Sequence, residues 1–305
     1  MCGIVGFLAK TDQEAPLGQI VLQMLTALER RGPDSAGVAL YAGARSELED
    51  GSIVFRVSLG ETANAASISE RVVERVQHLG DVTEAVVTAE YLRLVLVYDG
   101  DPQHVEREIN SVAHGIEVVS MGRELEIIKQ VGSPKNLDTT YGISSMVGTH
   151  GIGHTRLSTE SRVDLSHSQP FWAHGCPDIS VVHNGHITNY HTLRRRYEQQ
   201  GIRFYTDNDS EVLGVYLAER LSEGMDLEEA LSASVVDLDG SFSYLAATRD
   251  SIGFAKDRYA FKPLLFTETE NFVAVATEEL ALDGVFPGET DVREAQAQEV
   301  RVWQI

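Results

Sequence analysis

Cysteine is almost absent: the chain of 305 residues carries two, Cys2 and Cys176. That scarcity excludes a disulfide framework, a four-cysteine zinc site and a cysteine-bound iron–sulfur cluster. Lysine is scarce too, occurring only at positions 10, 129, 135, 256 and 262, and Lys+Arg number 25 against Asp+Glu 46 for a formal charge of −21. Such a surface repels phosphate backbones and anionic lipid, so neither nucleic acid nor a membrane is expected as a partner. An acid excess with little lysine fits salt adaptation and an arginine-rich proteome equally well. No apolar run is long enough to span a bilayer. The N-terminus lacks the charged-then-apolar pattern of a secretory signal, which makes cytoplasmic residence the expectation. Neither Gly-x-x-x-x-Gly-Lys-Ser/Thr nor a helix-opening Gly-x-Gly-x-x-Gly occurs, so no nucleotide-binding domain and no bound cofactor are expected.

What is present reads as alternating strands and helices. Residues 4–9 form a short apolar run, 17–30 carry apolar residues at helical spacing, and 36–41 return to strand character. Between the last two lies the polar turn Arg31-Gly32-Pro33-Asp34-Ser35. Residues 51–132 read as a separate β-α-β-β-α-β unit with one further strand, the order of a ferredoxin-like module. It carries no catalytic constellation, and a structural or docking insertion is the expected role. From about residue 146 strands are predicted over 148–156, 179–184, 242–248, 253–256 and 272–276, with helices over 187–200, 210–222 and 227–236.

Cys2 carries the chemistry to look for. Removal of Met1 would give one residue both a thiol and a free α-amine, whose pKa of about 7.7–8.0 leaves a useful unprotonated fraction near neutrality. An N-terminal residue can then serve as nucleophile and base together. Polar islands later in the chain supply what such a nucleophile needs. In Gly153-His154-Thr155-Arg156-Leu157-Ser158-Thr159 a short strand ends in an arginine suited to a two-pronged carboxylate contact, or to a plain surface ion pair. In His183-Asn184-Gly185-His186 an asparagine amide beside a glycine N–H can offer two donors to a developing oxyanion, or can form an ordinary β-turn. Asp209, just before a predicted helix, can cap that helix or grip an ammonium group. His154, His183 and His186 lack further ligands at metal spacing, so packing and turn roles are expected and no metal. Cys176 has no base motif beside it and reads as structural. Free glutamine would use these groups together: its α-carboxylate on Arg156, its α-ammonium on Asp209, its amide on Cys2.

In that combination the sequence resembles the class II glutamine amidotransferases, N-terminal-nucleophile hydrolases, along nearly its whole length outside the insertion. Met1-Cys2-Gly3-Ile4-Val5-Gly6 is similar to the family's opening, Arg31-Gly32-Pro33-Asp34 to its Arg-Gly-Pro/Gln-Asp turn, and Ala276-Thr277-Glu278 to its late Ala-Ser-Glu. The resemblance implies an α+β fold: a four-layer αββα sandwich of two antiparallel sheets over residues 2–305, with a ferredoxin-like insertion. It implies Cys2 as nucleophile, Asn184 and Gly185 as oxyanion hole, and Arg31, Arg156, Ser158, Thr159 and Asp209 as the substrate-binding set, Arg31 also helping to hold the nucleophile. Leu157 departs from the sugar-phosphate branch, which has tryptophan there, and Gln169-Pro170-Phe171 is like the glutamate synthase and phosphoribosyl-transferring branches.

The long insertion, Thr159-Glu160-Ser161 and Asn208-Asp209-Ser210-Glu211 look most like the separate glutaminase subunit of glutamate-synthase-like complexes, of which N-methylglutamate synthase is one. The implied activity is hydrolysis of L-glutamine to glutamate and ammonia, with ammonia passed to flavin and iron–sulfur synthase subunits. A homo-oligomer is compatible with the sequence. The alternatives are a stand-alone amidohydrolase of a γ-glutamyl compound and a non-catalytic regulatory subunit.

Overall fold

The structure, a computed structural model, describes residues 2–11, 14–41, 48–60, 64–158, 163–286, 288 and 291–305. In chain order its elements begin with β1 (Gly3–Ala9), α1 (Leu17–Ala27) and β2 (Ser35–Tyr41). There follow β3 (Ser52–Ser58), α2 (Ala65–Val76), β4 (Asp81–Thr88), β5 (Tyr91–Val97), α3 (Pro102–Asn110) and β6 (Glu117–Gly122). Next come β7 (Leu125–Val131), α4 (Pro134–Tyr141), β8 (His150–Arg156), β9 (Phe171–Trp172) and β10 (Ser180–Ile187). Helices α5 (Tyr190–Gln199), α6 (Asp209–Ser222) and α7 (Leu227–Asp237) precede β11 (Gly240–Ala247), β12 (Ser251–Lys256), β13 (Leu265–Glu268) and β14 (Phe272–Ala276). The chain closes with α8 (Glu279–Asp283), β15 (Arg293–Glu294) and β16 (Val300–Gln304).

Three antiparallel sheets result. Seven strands run in the order β15-β13-β14-β1-β8-β2-β7, five in the order β16-β12-β11-β10-β9, and four in the order β4-β5-β3-β6. Strands β1 and β8 of the first sheet pack against β10, β11 and β12 of the second. Helices α1, α4 and α8 cover the outer face of the first, while α6 and α7 cover the second. This is the four-layer αββα sandwich. A strand between a helix layer and a facing sheet is apolar on both sides, and every residue of β1 and β8 is buried.

The four-stranded sheet with α2 and α3 is the ferredoxin-like insertion. It is fastened to the sandwich by Trp172, whose indole N–H donates to the Val118 carbonyl at 3.0 Å, and by the Asp178 carboxylate, which accepts from the backbone N–H groups of Arg123, Glu124 and Leu125, each at 3.0 Å. Strand β7, inside the segment read as 51–132, pairs with β2 and so belongs to the seven-stranded sheet. Its Glu126 is buried and takes a hydrogen bond from Arg56 of β3 at 2.6 Å. A charge so enclosed needs its partner, since an unpaired buried carboxylate costs several kcal/mol.

Several boundaries differ from the sequence reading. Helix α1 stops at Ala27, and a short 3₁₀ turn over Glu29–Arg31 swings Arg31 back toward β1. Strand β10 continues through Ile187, which pairs with Gly240, so Asn184-Gly185 lies within a strand and not in a turn. Helix α4 was not foreseen. Its signals are Pro134 in the first turn and Gly142 in the left-handed region (φ 65°) beyond its end, but Pro134 and Leu137 are its only buried residues, too few for a helical period to show.

Candidate active site

Cys2 sits at the mouth of the sandwich, immediately before β1. Its backbone carbonyl accepts two hydrogen bonds, from Arg31 Nε at 3.2 Å and from Asn184 Nδ2 at 3.2 Å. The Arg31 guanidinium is tied in turn to Glu278 just after β14. Thr277, the residue before, exchanges hydrogen bonds with Ile4: its Oγ1 accepts from Ile4 N at 2.8 Å and its N–H donates to Ile4 O at 3.0 Å. Strand β1 is thus clamped at its very start, and the Cys2 sulfur lies 3.9 Å from the Leu157 carbonyl.

A cleft of about 410 Å³ opens over this sulfur, and Cys2, Arg156, Ser158, Asn184, Gly185 and Asp209 all line it. Arg31 does not. The residue that sequence reasoning grouped with the substrate contacts stands behind Cys2, holding its carbonyl. Thr159 lies outside the described residues. Gln169, His183 and Lys262 also line the cleft, and sequence reasoning gave none of them a role there.

Arg156 ends β8 and is only 5% exposed. Burial draws its guanidinium pKa down, while the Cys2 thiol and the Asp164 and Asp34 carboxylates act against that. Its carbonyl accepts from Asp34 N at 3.0 Å, and the Asp34 carboxylate accepts from Ser158 N at 2.7 Å, so the Arg31–Ser35 turn braces the strand end.

Asn184 and Gly185 owe their placement to an irregular stretch of β10. Gly185 has φ +140°, a conformation open to glycine, and an added Cβ would stand 2.2 Å from the Ser241 carbonyl oxygen. Opposite it in the ladder is Phe242, whose N–H donates to Asp257 Oδ2 at 2.8 Å and whose carbonyl accepts from Asp257 N at 3.0 Å. With Phe242 turned to Asp257, the pair is the non-hydrogen-bonded kind, and Gly185 directs its N–H away from β11. Gln169 secures the same strand: its amide donates to His183 O at 3.0 Å and accepts from His183 N at 2.6 Å.

Asp209 is the first residue of α6, not its cap. The cap is Asn208, whose Oδ1 accepts from Ser210 N at 3.0 Å. The Asp209 carboxylate is therefore available to the cleft. It accepts from Ile187 N at 2.9 Å and lies 3.6 Å from Nδ1 of both His183 and His186. His183 is buried, with its Nδ1 3.0 Å from Ser210 Oγ. Burial lowers its pKa, Asp209 raises it, and the charges of His186 and Lys262 lower it further. Despite this company, no group of three or more His, Cys, Asp or Glu side chains with the geometry to hold a metal ion occurs among the described residues.

Two further histidines on β8 face inward. Burial holds the pKa of His150 down at about 4 and that of His154 at about 3. Both must be neutral in the folded chain, whereas in the unfolded chain they titrate near 6.5. Their contribution to stability is complete above about pH 6.5 and is lost as the pH falls toward the folded values. We expect unfolding free energy to drop by roughly 2–3 kcal/mol per histidine between about pH 7 and pH 4.5. Urea unfolding across that range is the measurement; a flat profile would show that the two rings are hydrated.

A family model described as a glutamine amidotransferase domain matches residues 154–284. A protein named as a glutamine amidotransferase in Methanothermobacter thermautotrophicus is 38% identical over 310 residues, covering 100% of both chains. The glutamine amidotransferase-like protein GlxB of Rhizobium meliloti is 35% identical over 289 residues, covering 92% of this chain and 91% of that one. Among solved structures, glutamine phosphoribosylpyrophosphate amidotransferase from B. subtilis superposes with a TM-score of 0.63 at 20% identity. The match covers 99% of this chain and 47% of the B. subtilis chain, so the present chain corresponds to about half of that protein.

Proposed function

From the premise that this chain belongs to the class II glutamine amidotransferases, we propose that it is a glutaminase subunit working through a Cys2 γ-glutamyl thioester. The observation that carries the reading is convergence. The thiol of Cys2, whose backbone carbonyl is held by Arg31 and Asn184, shares one cleft with the buried Arg156 and with Asp209.

With Met1 removed, the Cys2 α-amine takes the thiol proton and the thiolate attacks the glutamine side-chain amide. The carbonyl π electrons move to oxygen, and that oxyanion is met by the Gly185 N–H and the Asn184 amide. A carboxamide carries two N–H donors, so one can keep the Cys2 carbonyl while the other serves the oxyanion. The protonated amine then gives its proton to the departing ammonia. Water hydrolyses the thioester, releasing glutamate. Arg156 binds the α-carboxylate, with Ser158 beside it, and Asp209 binds the α-ammonium. The ammonia passes to a separate synthase subunit of the flavin and iron–sulfur kind.

The decisive experiment follows ammonia and glutamate release from glutamine, together with labelling by 6-diazo-5-oxo-norleucine read by intact mass. One adduct on Cys2 in a chain lacking Met1, with glutamine-dependent ammonia release, is the expected result; neither labelling nor release from processed protein would overturn the reading. Asp209→Asn keeps an acceptor for the Ile187 N–H but removes the charge. It is expected to raise KM for glutamine about 10- to 100-fold, the worth of a hydrogen bond to a charged group. Iodoacetamide should still alkylate Cys2 at the wild-type rate, and an unchanged KM would limit Asp209 to bracing β10.

A further inference from the structure

On the far side of α6 from the cleft, three buried ionisable side chains from three separate segments meet. His174, which follows β9, places Nδ1 3.4 Å from Glu106 Oε1 and Nε2 3.4 Å from Glu211 Oε1, and the three side chains are 6%, 8% and 0% exposed. Its ring lies against those of Trp172 and Tyr205, tilted to both, at centroid distances of 4.8 and 4.5 Å. Glu106 belongs to α3 of the insertion, and Glu211 lies in the first turn of α6, two residues after Asp209. Carboxylates this deeply buried are costly unless each has a close partner, so the arrangement is held with little freedom.

Glu211 also organises the segment that forms one wall of the cleft. Its Oε1 accepts from Tyr205 N at 2.7 Å, and its Oε2 accepts from Thr206 N at 2.9 Å and from Thr206 Oγ1 at 2.7 Å. Thr206 Oγ1 in turn accepts from Asn208 N at 3.1 Å, and Asn208 caps the helix on which Asp209 stands. From the insertion side, Tyr205 OH donates to Glu106 at 3.3 Å and accepts from Asn110 Nδ2 at 2.7 Å. A continuous run of hydrogen bonds and close polar contacts therefore joins the insertion helix to Asn208, the cap of the helix on which Asp209 stands.

We infer that the insertion takes part in glutamine recognition: His174, bridging Glu106 and Glu211, is a positioning residue that holds Asp209 in register for the α-ammonium. The inference rests on the glutaminase reading proposed above. It gives the insertion a role in substrate affinity.

The test uses His174→Phe, which keeps a ring beside Trp172 and Tyr205 but removes both nitrogens, and Glu106→Ala on the insertion side. Each is assayed with glutamine and with 4-carbamoylbutanoate, which is glutamine without its α-amine. With glutamine, His174→Phe is expected to raise KM about tenfold and Glu106→Ala severalfold, with kcat within about twofold of wild type, as loss of a ground-state contact requires. With 4-carbamoylbutanoate neither change should alter kcat/KM.

Equal losses on both substrates would mean a merely structural cluster and would overturn the inference. A KM effect for His174→Phe without one for Glu106→Ala would remove the insertion from it. Should wild-type protein release no ammonia, the glutaminase reading falls, while the ratio of glutamine to analogue Kd by calorimetry still decides whether the bridge sets ammonium recognition.

Discussion

Replacing Cys2 with alanine is expected to lower ammonia release from glutamine by about 10,000-fold or more, the scale of losing a nucleophile that acts as a unit with its base. Binding should survive. Both groups that clamp this residue, Arg31 and Asn184, hold its backbone oxygen, which alanine retains, and among the described residues the sulfur has a single long hydrogen-bond contact, 3.9 Å to Leu157 O. The variant should therefore keep the wild-type Tm and a glutamine Kd within a few-fold, measured by thermal unfolding and calorimetry. Residual turnover above about one per cent of wild type would mean that another group attacks the amide.

Gly185→Ala should fail differently, through the fold as well as the chemistry. The φ of +140° penalises any side chain, and the new methyl group would meet the Ser241 carbonyl oxygen at 2.2 Å, which is backbone of the neighbouring strand. Strain and overpacking together come to about 3–5 kcal/mol, a fall in Tm of roughly 10 °C. Because β10 must shift to relieve the contact, the Gly185 N–H and the Asn184 amide shift with it. At a temperature where the variant is still folded, kcat should fall about 100- to 1,000-fold, as when an oxyanion donor is lost. Gly201→Ala is the control: φ there is +90° with nothing within 4 Å of the added Cβ. It should cost only about 1 kcal/mol and leave kcat alone. Equal effects at the two positions would remove the steric argument.

The expected site residues that line the cleft were legible because each sits in a short contiguous run whose composition is unusual. Cys2 follows Met1 directly, Arg156 ends an apolar strand, Asn184-Gly185 follows an apolar run within another, and Asp209 opens a helix. Their neighbours in space were not. Lys262 reaches the cleft from a loop, Gln169 was noted only as part of a branch motif without a place in the site, and the Glu106–His174–Glu211 bridge gathers residues that no periodicity connects. Arg31 was placed by the family resemblance alone, both among the substrate contacts and as a residue helping to hold the nucleophile, and it stands in the second of those positions. The 3₁₀ turn that points it at the Cys2 carbonyl depends on where α1 stops. Strands β9 and β15, two residues each, are too short for alternation to register. Helix α5 begins at Tyr190 and not at 187 because β10 keeps pairing with β11 across the glycine, a tertiary preference that outweighs the local one.

The clamp on the first residues also sets an order of events in synthesis. Strand β1 lies between β8 and β14, and its Ile4 and the carbonyl of Cys2 depend on Thr277 and on Glu278 acting through Arg31. A ribosome must add some 270 residues before the partners of the first strand exist, and contacts of such sequence separation form slowly. Until then the clamp from Thr277 and Glu278 is missing, and the amino terminus stays open to the aminopeptidase that the proposed mechanism calls for. On the proposed glutaminase reading, the Cys2 nucleophile would thus be processed early and fully braced only when the last strands have formed.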